Sequence, residues 1–396
     1  MSQKRNELKM IIITILIYLI ILKALFYFAF NKKEIKTNFS SHLAISIIVP
    51  MYNERILIRK TVNTLLEIEY FDFEIIVVDD GSTDDSLKLC IDSFENEEKV
   101  KILSQRNKGK AEALNNGIKH SKNSIIVCID ADTLVKSDVL ERFVELFNDE
   151  SVAAVSGQIL VGNSNKFLSR IQYYEYIFCQ NLERDFFGKY NSIITIPGAI
   201  AAFRKNAILS IGGFFGDTLT EDSDLSLRLL IAGYKIQNSK LAMGFTESPI
   251  YVQELCKQRR RWNAGLVQVL SKHFKSYTKA KNIFLTFIVI PYSILNRFVT
   301  PGVSSIADYL FIFHLIYFNS SYLALFIFYI FIDALTIQYL LSKNTIVKDL
   351  PSVIEIVVQR FCLRQILLMS NVLAVKSFFL KNFKWDKNTR QGDVKI

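Results

Sequence analysis

The 396-residue chain contains no Gly-x-Gly-x-x-Gly and no Gly-x-x-x-x-Gly-Lys-Ser/Thr, so it lacks the glycine-rich phosphate cradles of dinucleotide dehydrogenases and P-loop enzymes. Its five cysteines, Cys90, Cys128, Cys179, Cys256 and Cys362, are widely spaced, with no Cys-x-x-Cys pair and no Cys/His metal spacing. That pattern excludes a structural zinc site and points to a reducing compartment. The net charge is +10, yet the Lys and Arg residues form neither a recognition helix nor an RNA-binding motif. Nucleic acid is therefore not an expected partner. Many of the basic residues flank long apolar runs instead, where anionic lipid headgroups attract them.

Half of the residues are hydrophobic and 13% are aromatic, and the apolar runs lie at the two ends. This is the pattern of a soluble domain anchored on both sides. Met10 to Phe30 is long enough to span a bilayer, and the flank Asn31-Lys32-Lys33-Glu34 offers no small-residue cleavage site, so it reads as a transmembrane anchor. Basic residues on both sides place the next domain in the cytoplasm only weakly. Past it, Ile283–Val299, Tyr309–Phe318, Tyr322–Leu341 and Ser352–Leu380 are apolar runs. Only Tyr322–Leu341 reads as a clean span, despite Asp333. Glu355, Arg360, Arg364 and Lys376 in the last run read as facing a bundle interior or a polymer path. The first run, with Pro291 and Arg297, reads equally as an interfacial helix. Lys381 to Ile396 is basic and expected in the cytoplasm, which requires an even number of C-terminal crossings. The expected layout is a tail (1–9), a transmembrane helix (10–30), a cytoplasmic catalytic domain (44–265), interfacial and transmembrane helices (266–380) and a basic tail (381–396).

Within the middle domain, strand and helix patterns alternate. Strands are predicted at Ala44–Pro50, from Phe73, at Val100–Leu103 and at Ile125–Asp132, with helices at about 55–69, to about 93 and over 109–119. Such alternation predicts an α/β fold with a parallel sheet, helices on both faces, and ligands beyond the carboxyl ends of the strands. Asn53, Glu54, Asp79, Asp80, Asp130 and Asp132 fall at those ends. Asp130-Ala131-Asp132 ends a buried-strand pattern with two carboxylates that both reach one hard cation if the backbone bends there. The plainer reading is that acids finish strands because they are soluble.

Ile47-Ile48-Val49-Pro50-x-Tyr52-Asn53-Glu54, Val77-Val78-Asp79-Asp80-Gly81-Ser82, Asn107-Lys108-Gly109-Lys110 and Asp130-Ala131-Asp132, in that order, resemble the nucleotide-sugar-binding half of a family 2 glycosyltransferase with a GT-A type fold. The resemblance implies that Pro50, Tyr52, Asn53, Glu54, Asp79, Asp80 and Lys110 serve the nucleotide-sugar. It also implies that Asp130 and Asp132, with Ala131 between them, carry Mg2+ or Mn2+ on the donor diphosphate.

The second half is expected to hold the acceptor side. Tyr173, Tyr174, Tyr176 and Phe178 form an aromatic segment whose favoured reading is a membrane-interface surface rather than packing. Thr220-Glu221-Asp222 reads first as a helix cap with acids suited to the dipole. Glycosyl transfer asks for a base on the acceptor hydroxyl; by the resemblance this is Asp222, with Glu221 the competing candidate and an acceptor-side residue. Gln258-Arg259-Arg260-Arg261-Trp262 is similar to the Gln-x-x-Arg-Trp motif of the processive, membrane-embedded branch of the family, which includes poly-N-acetylglucosamine, chitin, hyaluronan and cellulose synthases. There Gln258 orients the diphosphate, Arg261 stabilises it as it leaves, and Trp262 is the acceptor platform. Arg259 and Arg260 read as lipid-headgroup contacts. Trp385-x-Lys387-x-x-Arg390-x-Gly392 resembles the tail of poly-N-acetylglucosamine synthases.

The expected activity is inverting β-transfer from a cytoplasmic UDP-sugar to a growing polysaccharide at the plasma membrane. N-acetylglucosamine and glucose are the leading sugars by family resemblance. The alternative is one sugar transferred to a membrane lipid. A transport or scaffold subunit with a degenerate transferase domain is disfavoured by the intact Asp130, Asp132, Asp222 and Arg261. With one N-terminal span and no room for a regulatory domain, the layout leaves a place for an export or accessory subunit.

Overall fold

The structure is a computed structural model that describes residues 43–177, 182–280, 282–318, 350–381 and 391–396, with scattered positions between 327 and 341. The expected N-terminal tail and anchor, most of Tyr322–Leu341, Phe178, and Trp385, Lys387 and Arg390 lie outside the described residues. Two compact units are present, one within Lys36–Tyr292 and Val372–Ile396 and the other within Ser293–Asn371.

The first unit begins with β1 (Ile45–Met51), α1 (Ile58–Leu66), β2 (Phe73–Asp79), α2 (Ser86–Phe94), β3 (Val100–Ser104), α3 (Lys110–His120) and β4 (Ile125–Ile129). It continues with β5 (Leu134–Val135), α4 (Val139–Val144), β6 (Val152–Val161), α5 (Phe167–Glu175), α6 (Leu182–Gly188), β7 (Ile200–Arg204), α7 (Lys205–Ser210), α8 (Glu221–Ile231), β8 (Lys235–Thr246) and α9 (Val252–Lys272). These strands form one sheet in the order β3-β2-β1-β4-β7-β6-β8-β5. Near-continuous Ile/Val runs suit strands covered on both faces. Ile48, Ile76, Val78, Ile126 and Cys128 pack with residues of α3, α7, α8 and α9. Ile47, Val49, Ile75, Val77 and Val127 pack on the opposite side with α1, α2 and α4.

The expected all-parallel sheet holds only for β3, β2, β1 and β4. β7 is antiparallel to β4, pairing Ile200 with Ile129, and the sheet is mixed from there on. The alternation that predicted a parallel sheet stops after Asp132, and the later strands are joined by connections too irregular for a repeated β-α-β reading. This reversal positions the site. The start of an antiparallel strand lies beside the end of its neighbour, so the segment before Ile200 meets Asp130, whose N–H donates to the Ala199 carbonyl at 3.2 Å.

The aromatic segment expected at a membrane surface is instead core. Ile171, Tyr174, Tyr176 and Ile177 are buried, and α5 lies against β6. A stripe at helical spacing marks an apolar face but does not say what covers it, and here the protein does.

Residues 391–396 form a strap on the same unit. The N–H groups of Gln391 and Gly392 donate to buried Glu247 at 2.9 and 3.3 Å, and the Lys395 N–H donates to the Gly162 carbonyl at 3.1 Å. Lys60 donates to the Val394 carbonyl, and the Val394 side chain is fully buried with Leu57 and Leu134.

Residues 283–292 of the first unit are helical through Pro291, with a π-helical turn at Leu285–Val289, and the second unit has a π-helical turn at Leu295–Val299 that leads into a helix over Thr300–Phe318. Proline removes one backbone donor and crowds the preceding turn, and wider turns accommodate this. Asp308 is buried and pairs with Arg360 and, at 3.1 Å, with Arg364, so these charges face the interior. Among the described residues, one helix, Ile354–Phe379, is long and apolar enough to cross a membrane. The sequence had not marked it as the clean span because of its charges.

Replacing Val394 by Asp puts an unpaired carboxylate in an apolar site, so the strap should detach. We expect amide exchange of residues 391–396 to approach that of unprotected peptide, with a Tm lower by roughly 5 °C. Mass-spectrometric exchange and thermal denaturation in detergent check this, and unchanged protection would refute the docking.

Candidate active site

The carboxyl ends of β1, β2 and β4 and the start of β7 meet at one sheet edge. After β1, Pro50 closes the strand against Val78, and Tyr52, Asn53 and Glu54 form the following turn. Asn53 has φ +55°, a left-handed conformation that Asn tolerates. Its side-chain oxygen accepts from the Thr83 N–H at 2.7 Å and its own N–H donates to Ser82 Oγ at 2.9 Å. The turn is thus tied to the Asp-Gly-Ser loop.

Asp79 and Asp80 are both buried. Asp79 accepts from the Ser82 N–H at 3.2 Å. Asp80 accepts from Gln105 Nε2 at 2.8 Å and from the N–H groups of Lys108 and Gly109 at 2.9 and 2.8 Å. Asp80 therefore shapes the loop that opens α3.

Lys110, the first residue of α3, reaches across this edge. Its Nζ lies 2.5 Å from Asp130 Oδ1 and 3.4 Å from Glu221 Oε1. Burial would lower the Lys110 pKa, but Asp130 and Glu221 more than reverse this and hold it protonated, above the usual lysine range. Asp132 is buried nearby, and its Oδ1 accepts from Thr133 Oγ1 at 3.3 Å. The Thr133 N–H donates to the Asp130 carbonyl at 3.0 Å, which is the bend that Asp-x-Asp needs. The buried Ala131 carbonyl accepts from Thr61 Oγ1 at 2.9 Å. Among the described residues no three His, Cys, Asp or Glu side chains gather for a metal. Two carboxylates with hard oxygens suit a cation that completes its shell with substrate phosphates and water, so the residues present fit Mg2+ or Mn2+.

Asp222 faces the same space from the first turn of α8. Its Oδ2 accepts from the Gly198 N–H at 3.0 Å and its Oδ1 from the Ser223 N–H at 2.7 Å. A side chain at Gly198 would come within 3.0 Å of Lys110 Nζ and 3.4 Å of Asp222 Oδ2. The glycine lets the backbone approach both. Burial first, and the Glu221 charge second, push the Asp222 carboxyl up to about 6.

The Gln-x-x-Arg-Trp residues lie on α9. Gln258, Arg261 and Trp262 are partly exposed, and their i, i+3, i+4 spacing puts them on one face. Arg259 does not contact lipid headgroups as expected. It is 3% exposed and its guanidinium donates to Glu175 at 2.8 Å. Its place follows from spacing, because Leu255, Arg259, Asn263 and Leu266 form the buried stripe of this helix. A fourfold step from Leu255 was the available signal. Arg260 is partly exposed.

Sequence reasoning also missed Asp224. It is completely buried and accepts from Arg228 Nε at 2.6 Å, Lys272 Nζ at 2.8 Å and His273 Nε2 at 2.7 Å. Burial would raise its pKa, but His273, Lys272 and Arg228 hold it well below the usual carboxylate range. The carboxylate couples the helix of Asp222 to the end of α9. A side chain at Gly265 would come within 2.5 Å of Thr220, so the two helices touch at the cap of α8 as well.

The Glycosyl transferase family 2 profile matches residues 46–212. The poly-beta-1,6-N-acetyl-D-glucosamine synthase of Staphylococcus aureus is 34% identical over 283 residues, covering 69% of this chain and 68% of that protein. The synthase of the same name from Staphylococcus epidermidis is 30% identical over 279 residues, covering 68% and 67%. Among solved structures, a mannosyltransferase from Pyrobaculum calidifontis in complex with GDP-Man and Mn2+ superposes with a TM-score of 0.67 at 18% identity, over 96% of this chain and 98% of that one. The mixed sheet is thus GT-A-like, and with relatives this similar the chain belongs to glycosyl transferase family 2 and is a glycosyltransferase.

Proposed function

We propose that the chain elongates a β-1,6-linked poly-N-acetylglucosamine at the membrane, using UDP-N-acetylglucosamine as donor and Asp222 as base. The observation that carries this reading is the Asp222 carboxylate, aimed by two backbone N–H groups at the edge where Lys110 and Asp130 pair. The Staphylococcus synthases supply the sugar and linkage.

In this reading the turn at Pro50, Tyr52, Asn53 and Glu54, with Asp79 and the loop held by Asp80, receives the uridine. Asp130 and Asp132 hold Mg2+ or Mn2+, which when bound neutralises charge on the donor diphosphate. Lys110 adds a fixed positive charge at the same edge. Asp222 accepts the proton of the acceptor hydroxyl as that oxygen forms its bond to the anomeric carbon. The bond from that carbon to the diphosphate breaks, its electron pair leaves with UDP, and the configuration inverts. Arg261 and Gln258 bind the departing diphosphate by charge-assisted and neutral hydrogen bonds. Trp262 stacks on the terminal acceptor sugar, and Glu221 stands beside the acceptor site.

The strap at 391–396 docks on the catalytic unit, so both belong on one side of the membrane. That supports an even number of crossings between them, and the cytoplasmic side follows from the expected place of the basic tail.

Purified protein in nanodiscs, given UDP-N-acetylglucosamine and Mg2+ or Mn2+, should release UDP and build a long polymer cleaved by a β-1,6-N-acetylglucosaminidase. A single sugar on an extracted lipid would replace this reading with glycolipid synthesis. Asp222→Asn should lower kcat by roughly 10²–10⁴ while calorimetry still shows UDP binding, and equal turnover would remove Asp222 as base. The base must be ionised, and its pKa of about 6 means that kcat/KM should rise with pH through about 6. Glu221→Gln removes a negative neighbour, lowers the Asp222 pKa and should move this acid limb to lower pH. A limb that stays in place would count against the pairing.

A further inference from the structure

We infer that Arg259 is a positioning residue that fixes the indole of Trp262 for the acceptor, braced from behind by Glu175. This rests on the acceptor reading of Trp262. The Arg259 guanidinium lies over the Trp262 ring at 4.4 Å and over the Tyr176 ring at 5.4 Å. Tyr176 and Trp262 are themselves neighbours, with ring centroids 6.2 Å apart. The charge is therefore enclosed by two aromatic faces on α9 and at the end of α5.

A buried guanidinium is costly unless it is paired. Burial would lower its pKa, but Glu175 and Tyr176 hold it above the ordinary value. One terminal nitrogen donates to Glu175 Oε2 at 2.8 Å, and the other donates to Gln258 Oε1 at 3.0 Å. Glu175, only 8% exposed, sits at the last turn of α5. The same planar group thus contacts residues on both sides of it in the motif, Gln258 and Trp262.

This arrangement explains why arginine suits the position. Lysine keeps the charge but has neither the planar face to lie on the indole nor the fork to reach Glu175 and Gln258 together. One face of the Trp262 ring is occupied by Arg259. The indole cannot rotate freely while that contact holds, which leaves its orientation set before the acceptor arrives.

The test uses full-length protein with Trp385→Phe, which leaves Trp262 as the sole tryptophan of the two in the chain. In that background, Arg259→Lys, Arg259→Met and Glu175→Gln are compared with the parent. Acrylamide quenching of Trp262 fluorescence is read without turnover, and the KM for a short β-1,6-linked N-acetylglucosamine oligomer is read with it. We expect quenching at least two-fold stronger in Arg259→Met, with Arg259→Lys and Glu175→Gln intermediate. The oligomer KM should rise ten-fold or more in Arg259→Met, while UDP affinity changes by less than about five-fold, the scale of one neutral hydrogen bond.

Should Arg259→Met fail to fold, the lysine and Glu175→Gln variants decide. Quenching and oligomer KM within two-fold of the parent in the folded variants would overturn the proposal, as would a lowered Tm without a change in either. If the parent does not extend the oligomer, the acceptor reading fails separately. The quenching order then still decides whether Arg259 fixes the indole.

Discussion

Like-charged carboxylates brought to one sheet edge are the constraint on which this architecture depends. Asp130 and Asp132 arrive from β4, Glu221 and Asp222 from the start of α8, and their mutual repulsion would open the edge in the absence of a cation. Lys110 is the chain's own answer, at 2.5 Å from Asp130 and 3.4 Å from Glu221. It comes from the N-terminus of α3, where Asp80 organises the preceding loop through two backbone N–H groups. Asp80, which follows the second strand, therefore supports Asp130, which follows the fourth, through a lysine that belongs to neither. One positive charge does not balance four negative ones, and under the proposed function the remaining imbalance is what a divalent cation at this edge would offset.

The antiparallel β7 makes that convergence geometrically available. Had the sheet stayed parallel, the segment entering the strand next to β4 would lie at the opposite edge, and Gly198 could not donate to Asp222. The reversal brings the Ala199 carbonyl to the Asp130 N–H and the Gly198 N–H to Asp222. The Asp-x-Asp turn and the Asp222 carboxylate are thus joined through two adjacent backbone groups.

The first four strands and the motifs that follow them were legible in the sequence because their signals are local. Each strand is a mostly apolar run followed by a motif, and both families of signal point to one edge. The second half of this unit was less legible because its determinants are distant in sequence. Arg259 is read correctly only with Glu175, 84 residues earlier, and Asp224 only with Lys272 and His273, which come 48 and 49 residues later. Basic residues on a helix next to a membrane are ordinarily solvated, so composition favoured the lipid reading. The spacing of Leu255, Arg259, Asn263 and Leu266 carried the contrary signal. The aromatic stripe of α5 failed for the same reason, since periodicity identifies a face and tertiary structure decides its partner.

These distant contacts give α9 a mechanical role. Near its middle, Arg259 is anchored to the end of α5 through Glu175 and the Tyr176 ring. Beyond the motif, Gly265 touches Thr220, Gln268 accepts from the Leu219 N–H at 2.9 Å, and Lys272 with His273 at its end grip Asp224. A helix rises about 1.5 Å per residue and bends little over three turns, so fixing Arg259 and Lys272 fixes every residue between them. Arg261 and Trp262 lie in that interval. Asp224 is two residues from Asp222 on the same helical turn, so the grip at the end of α9 also holds Asp222. Arg261, Trp262 and Asp222 are then registered by one rigid element clamped at two places. A flexible loop carrying the same motif would have to lose conformational entropy before its residues could hold this arrangement.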